Sequence, residues 1–229
     1  MKIGGLQKVS LIEYPGKVCA IIFTQGCNFR CPNCYNPELV DPTLFTDCIP
    51  EDDVLSFLKK RKGKLDAVTI TGGEPTIQDD LIEFIDYVRK IGYSIKLDTN
   101  GSHPEVIEKL FRKKLLDYVA MDIKGPLKKY RMVTRADVNE ANIKQSIEMI
   151  MKAGIPYEFR TTLVKQLLKE DDILEIGKLI KNACIYMLQQ FMPAKTLDTE
   201  FQKYTEYSRE EMEALRGKLL KDIPVVQVR

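Results

Sequence analysis

Short apolar runs alternate with longer amphipathic stretches along most of the chain. The short runs are rich in apolar and β-branched residues and predict strands. They cover residues 18–24, 67–71, 94–98, 118–122, 157–163, 186–191 and 225–228. The amphipathic stretches repeat apolar residues three and four positions apart, which predicts helices. These cover residues 51–62, 79–91, 104–116, 139–153, 170–182 and 209–221.

The alternation of strands and helices determines the class of fold that we expect. At this spacing it predicts right-handed βαβ units and an α/β fold with a largely parallel sheet. Six or seven strands leave two architectures open, a doubly wound open sheet and a full or partial βα barrel. In both, ligands bind at the carboxyl ends of the strands, so we expect the functional site at that edge.

Composition narrows the class of protein. The 229 residues suit one large domain, and 44% apolar with 30% charged residues is typical of a globular chain. A net charge of +2 argues against a surface built to hold nucleic acid. We find no signal-peptide h-region and no run that spans a bilayer, so we expect a cytoplasmic protein without a membrane partner. Thiols stay reduced in the cytoplasm, so clustered cysteines indicate metal or redox chemistry.

Three of the six cysteines form a compact motif directly after the first predicted strand. The C-x3-C-x2-C spacing of Cys27, Cys31 and Cys34 lets three thiolates converge on one soft metal centre. In a 4Fe–4S cluster, three ligands would leave one iron open for a substrate or cofactor. The alternative is a zinc site completed by Cys19 or Cys48, although structural zinc sites usually combine two short pairs.

Polar segments also end the later predicted strands. Thr71-Gly72-Gly73-Glu74-Pro75 ends the second, residues 97–101 end the third, residues 121–126 end the fourth, and Arg160 lies in the fifth. Taken singly, they are typical of turns, helix caps and surface ion pairs. Their shared position at the carboxyl ends of parallel strands favours a ligand site.

The cysteine motif resembles that of the radical S-adenosylmethionine (SAM) superfamily. Segments 5–8, 10–16 and 36–40 add a closer resemblance to activating proteins of the anaerobic ribonucleotide reductase type and, more broadly, to glycyl-radical-enzyme activases. The resemblance is weaker after Arg160. It departs at Asn33, where the superfamily often has an aromatic residue, and at Tyr35, where activases often have histidine.

The resemblance implies a partial (β/α)6 TIM-like barrel of the radical SAM type. Residues 1–229 would form a single domain with its core at about 17–193, and residues 194–229 would complete or flank the barrel. The three motif cysteines would be the catalytic metal ligands of one 4Fe–4S cluster, whose open iron chelates the amino and carboxylate groups of SAM. One electron would cleave SAM to a 5′-deoxyadenosyl radical, which takes a hydrogen atom from a glycine of a partner enzyme.

The resemblance also implies cofactor contacts. Gly72, Gly73 and Glu74 would hold the amino group of SAM, and the backbone of Asn33 would meet the adenine. We expect Gly73→Val to weaken SAM binding while it spares the cluster.

The charged strand ends complete the predicted cofactor site. The resemblance implies that Lys124 faces the SAM carboxylate, and Arg160 can pair with the same group. Asp98 and Asp122 would lie near the methionine end of SAM and hold a monovalent cation there.

The implied partners are a glycyl-radical enzyme as protein substrate and a flavodoxin or ferredoxin as reductant. One rival is a radical SAM enzyme that acts on a small molecule, a peptide or RNA. A second rival is a zinc-stabilised binding module without catalysis. A Ser-His-Asp hydrolase is poorly supported, because His103 is the only histidine and stands at a predicted helix entry.

Overall fold

The computed structural model describes residues 1–229 and contains eight strands and eight α-helices. The strands are β1 (Ile3–Tyr14), β2 (Lys17–Thr24), β3 (Ala67–Gly72), β4 (Ser94–Thr99), β5 (Tyr118–Asp122), β6 (Tyr157–Leu163), β7 (Tyr186–Gln190) and β8 (Val226–Val228). The helices are α1 (Pro37–Val40), α2 (Glu51–Arg61), α3 (Leu81–Ile91), α4 (Pro104–Arg112), α5 (Tyr130–Thr134), α6 (Glu140–Lys152), α7 (Glu170–Leu179) and α8 (Arg209–Leu219).

The seven predicted strands are confirmed as β2 to β8, and the six predicted helices as α2, α3, α4, α6, α7 and α8. The sequence pattern missed β1, which forms a hairpin with β2. Only Ile3, Ser10 and Tyr14 of β1 are buried, and its pairing register shifts at three places. A strand that buries so few residues lacks the strict apolar alternation by which strands are predicted.

The strands lie side by side in chain order from β1 to β8. The β1–β2 pair is antiparallel, and every pair from β2 to β8 is parallel. Right-handed crossovers that always advance in one direction place all helices on one face of the sheet, so the sheet curls into a barrel instead of being doubly wound. Because β1 and β8 do not pair, the barrel is partial and open on one side. The predicted α/β partial barrel is confirmed.

Alternation along the strands separates two environments. On β4, Ile95 and Leu97 belong to the large apolar core that the helices cover, whereas Lys96 and Asp98 face the other way, into the barrel. A small separate apolar cluster fills part of the interior, and it comprises Tyr14, Cys19, Ile21, Ala67 and Tyr118. The polar interior positions therefore lie towards the carboxyl ends of the strands. No helix is both long enough and apolar enough to cross a membrane.

Candidate active site

The three motif cysteines line one cavity of about 620 Å³ at the carboxyl ends of the strands. They stand on the loop between β2 and α1, and Cys31 is the most buried of the three. Arg30 braces this loop, because its Nη1 donates to the carbonyl oxygens of Cys27 at 2.6 Å and Phe29 at 2.8 Å. The backbone N–H of Arg30 also donates to the carbonyl oxygen of Thr134, at the end of α5. The loop is thereby fixed from two sides.

Burial keeps the motif thiols protonated when no metal is bound. Loss of solvent raises the pKa of Cys27 to about 12 and that of Cys31 to about 11, and it also raises the pKa of Cys34. The Lys124 ammonium opposes the increase at each of the three. The metal-free thiols do not form a preassembled metal-binding group. Soft sulfur donors suit an iron–sulfur cluster, and binding one would release their protons.

The Gly-Gly pair at the end of β3 packs directly against the start of the cysteine loop. The Gly73 N–H donates to the Thr24 carbonyl at 2.9 Å, and the Glu74 N–H donates to the Gly26 carbonyl at 2.8 Å. A Cβ atom on Gly73 would lie 1.9 Å from the Gly26 oxygen, and one on Gly72 would lie 2.3 Å from the Thr24 nitrogen. Both positions require glycine because the two backbones touch.

Glu74 is a buried brace between two loops. Its carboxylate accepts from the Thr76 N–H at 3.1 Å and hydroxyl at 2.5 Å, and from the Thr99 hydroxyl at 2.7 Å. The Asn100 N–H donates to the other carboxylate oxygen at 2.6 Å. Four donors therefore tie the loop after β3 to the loop after β4. A contact between Glu74 and the amino group of SAM stays a prediction.

The charged strand ends form an alternating chain of ion pairs across the barrel. Arg160 lies between two carboxylates, with Nη1 3.1 Å from Asp98 Oδ2 and Nε 2.8 Å from Asp122 Oδ1. Lys124 Nζ lies 2.9 Å from the remaining oxygen of Asp122. Lys96 Nζ lies 2.7 Å from the remaining oxygen of Asp98. Arg160 is buried, so it is not a strand arginine that extends into solvent.

The ion pairs keep every member of this chain charged. Burial alone would raise the pKa of the Asp98 and Asp122 carboxyl groups, but the Arg160 guanidinium, supported by Lys96 and Lys124, holds both below the usual range. The same carboxylates outweigh the effect of burial on Lys96 and Lys124 and raise the pKa of both. The interior therefore holds a chain of charged groups that is buried at Lys96 and Asp98 and partly exposed at Asp122 and Lys124.

Glu13, which lines the cavity, and Lys96, which is buried and pairs with it, are charged groups that the sequence analysis did not single out. Lys96 is 1% exposed, and its Nζ lies 3.0 Å from Glu13 Oε1. Glu13 stands on β1 and lines the cavity. The sequence contained one indication for Lys96. It stands two positions before Asp98 on the same strand, and such residues point to the same face of the sheet.

The segment after β7 covers the outer side of the cysteine loop. The Leu197 N–H donates to the Cys34 carbonyl and the Asp198 N–H to the Pro32 carbonyl, both at 2.9 Å. The Tyr35 hydroxyl accepts from the Met192 N–H at 2.7 Å. Asn33, at the tip of the loop, lines the cavity. Tyr35 therefore has a structural contact here, where activases often have histidine.

Comparison with known proteins agrees with this geometry. The model of the radical SAM superfamily matches residues 21–180. A protein of Methanocaldococcus jannaschii, provisionally named glycyl-radical enzyme activating enzyme, is 37% identical over 96% of this chain and 91% of its own length. The pyruvate formate-lyase-activating enzyme of Listeria monocytogenes is 32% identical over 59% of each chain.

A solved structure has the same fold. Streptococcus suis SuiB superposes with a TM-score of 0.69 at 14% identity, across 91% of this chain and 48% of SuiB. The structure of SuiB bound to SAM superposes with a TM-score of 0.67, across 90% of this chain and 51% of SuiB.

The chain belongs to the radical SAM superfamily. Its cofactors are therefore a 4Fe–4S cluster, held by three cysteines, and SAM, and the protein is a radical SAM enzyme. The donor set on the β2–α1 loop fits that cluster in number and in chemistry. Membership of this superfamily decides against a zinc-stabilised module without catalysis.

Proposed function

We propose that the protein activates a glycyl-radical enzyme by generating a glycyl radical on it, with an anaerobic ribonucleotide reductase as the expected partner. The observation that carries this proposal is the 37% identity with the provisionally named activating enzyme over 96% of this chain. That alignment spans nearly the whole barrel. It therefore extends beyond the cluster loop, which radical SAM enzymes have in common even when their substrates differ.

The cavity residues would bind and orient the two cofactors. Cys27, Cys31 and Cys34 are the proposed cluster ligands. When bound, the cluster and SAM would supply a one-electron reductive cleavage to methionine and a 5′-deoxyadenosyl radical. Lys124 lines the cavity with a side chain that is 28% exposed, and it would donate to the SAM carboxylate. Buried Arg160 would hold Lys124 in place through Asp122.

Other residues would shape the space around the cofactor. The glycines at 72 and 73 line the cavity, and their backbone would lie close to the amino group of SAM. Asn33 would present its backbone to the adenine. Glu74 would fix the two loops on which these groups depend.

A polypeptide substrate suits the remainder of the cavity. The cavity reaches Gln7 on edge strand β1 and Arg229 beyond edge strand β8, on the side where the barrel does not close. Gln189, Gln190 and Thr162 add uncharged polar groups to its wall. Amides and hydroxyls pair well with the N–H and C=O groups of a main chain.

The electron would come from a small reduced protein, a flavodoxin or a ferredoxin. SAM cleavage consumes one electron per event, and the chain holds one compact cysteine motif to accept it. The partner and the reductant are both part of the proposal.

An anaerobic assay tests the function. The protein, reconstituted with iron and sulfide and chemically reduced, is mixed with SAM and an anaerobic ribonucleotide reductase, and the radical is recorded by electron paramagnetic resonance. We expect a glycyl radical on the partner together with 5′-deoxyadenosine. Cys31→Ala should abolish both products. Cys184→Ala is the matched control, because this thiol is exposed and lies outside the cavity.

Two outcomes would contradict the proposal in different ways. Formation of 5′-deoxyadenosine without a radical on any glycyl-radical enzyme would redirect the substrate towards a small molecule, a peptide or RNA. Full activity of the Cys31→Ala variant would contradict the ligand assignment itself.

A further inference from the structure

The two carboxylates predicted to hold a monovalent cation already have protein cations at all four oxygens. Asp98 contacts Lys96 at 2.7 Å and Arg160 at 3.1 Å. Asp122 contacts Arg160 at 2.8 Å and Lys124 at 2.9 Å. The residues present therefore do not fit an added cation.

Lys96 is the member of this set that most resembles a bound ion. Its side chain is 1% exposed, and its ammonium touches two carboxylates, those of Asp98 and Glu13. The contact with Asp98 Oδ1 is not a well-directed hydrogen bond, although the two atoms are 2.7 Å apart. The attraction is thus mainly that of a compact point charge, which is the character of an ammonium and of a small monovalent cation.

The elements explain why this charge stays in place. Lys96 and Asp98 stand two positions apart on β4, so both side chains face the interior of the barrel. Glu13 approaches from β1 on the open side of the sheet. Because the Lys96 ammonium is attached to the chain, Asp98 needs no ion from solution. Without Lys96, the buried Asp98 carboxylate would retain only its contact with Arg160.

We propose that Lys96 is a built-in cation that occupies Asp98, where a monovalent ion is expected, so that SAM binding does not depend on potassium or sodium. Lys96 is a positioning residue, because it holds Asp98 and acts through it on Arg160 and the cofactor site. The inference rests on the proposed assignment of this cavity to SAM and is independent of the partner enzyme.

The first test measures SAM affinity in different salts. SAM binding to the reconstituted protein is measured by equilibrium dialysis in choline chloride, KCl and NaCl at equal ionic strength. Wild type should show the same Kd within about twofold. Lys96→Met should bind SAM at least about tenfold more weakly in choline and regain affinity in KCl. The matched control is Lys90→Met, which removes an exposed lysine that pairs with Asp86 on α3.

A second measurement requires no SAM. Potassium is titrated calorimetrically into the SAM-free reconstituted protein. Wild type should bind none, Lys96→Met should bind one ion, and Lys96→Met combined with Asp98→Asn should lose it. Salt-dependent SAM affinity or potassium binding in wild type would overturn the inference, even where the variants fail to fold.

The two measurements separate the inference from the function proposed above. A folded Lys96→Met variant without any response to potassium in either assay would also overturn the role of Lys96. Failure of wild type to bind SAM would overturn the assignment of the cavity to SAM. The potassium titration would still decide whether Lys96 takes the place of an ion.

Discussion

Single residues at the end of β3 show how tightly the site is assembled. A side chain on Gly73 would point at the backbone of Gly26. The need for glycine at this position therefore comes from a contact between two backbones and not only from the space that SAM requires. The expectation that Gly73→Val spares the cluster therefore needs revision. A side chain at position 73 has to displace the backbone that leads into Cys27, so loss of cluster should accompany loss of SAM binding.

Gly73→Ala isolates this effect. Its Cβ would lie 1.9 Å from a carbonyl oxygen. The backbone shift that removes such overpacking lowers the free energy of unfolding by about 1–3 kcal/mol. We expect a lower Tm and a lower iron content after reconstitution. Gly217→Ala is the matched control, since a Cβ there meets nothing within 4 Å and alanine favours the α8 helix. Iron content and Tm equal to those of wild type in Gly73→Ala would contradict the close-contact explanation.

At the scale of elements, side chains beneath the carboxyl-end loops connect neighbouring βα units. The segment after β5 is tied to the first turn of α7 by Lys129, whose Nζ donates to Asp172 at 2.6 Å. The Lys169 N–H donates to the same carboxylate at 2.8 Å, which caps the helix. These contacts support the loop that carries Lys124 without touching the cavity themselves.

Asp172→Asn should reveal a pH-dependent part of this support. Burial alone would raise the pKa of the Asp172 carboxyl group, but the hydrogen bonds from Lys129 and Lys169 lower it. The charged form is therefore favoured by folding, so its stabilisation is full above the ordinary aspartate pKa of about 3.9 and is lost as the pH falls through the lower folded value.

Urea unfolding at several pH values measures this contribution. The difference in free energy of unfolding between wild type and Asp172→Asn should be largest near neutral pH and should shrink below about pH 4. Asp171→Asn removes an exposed carboxylate from the same helical turn and should show a smaller difference. A difference for Asp172→Asn that stays constant down to acid pH would be inconsistent with the lowered pKa.

At the scale of the whole molecule, residues 194–229 belong to the barrel. β8 extends the sheet beside β7, and α8 packs so closely on α7 that a Cβ on Gly177 would lie 2.4 Å from Leu219. The segment contributes six side chains to the main core, namely Tyr207, Met212, Leu215, Leu219, Ile223 and Val226. We therefore propose that the chain forms one cooperative domain and not a core with an appendage.

Deletion of residues 194–229 tests this proposal. Each buried apolar side chain contributes about 1.5–3 kcal/mol, so six together match the total stability of about 5–15 kcal/mol that domains possess. We expect the fragment 1–193 to lack a cooperative thermal transition, whereas the full chain shows a single one by calorimetry. A soluble fragment that unfolds cooperatively and retains iron would contradict the single-domain interpretation.

The sequence by itself determined the parallel strands and the long helices, and it predicted the three cluster cysteines. Local periodicity fixes these elements, because each strand or helix shows its buried face directly in the order of its residues. The edge at which polar groups gather also followed, since parallel strands end on the same side. Residues 97–101, 121–126 and the Gly-Gly-Glu segment were found in this way.

Only the tertiary structure decided how these groups are paired. Lys96 and Arg160 are 64 positions apart in number and yet bind the same Asp98 carboxylate, a contact that depends on the curvature of the whole sheet. The weakly patterned β1 brings Glu13 to Lys96, and the chain after β7 returns to cover the cysteine loop. Contacts between residues distant in the chain leave no local periodicity, so the sequence indicated the charged strand ends, and the fold determined which protein cations lie against which carboxylates.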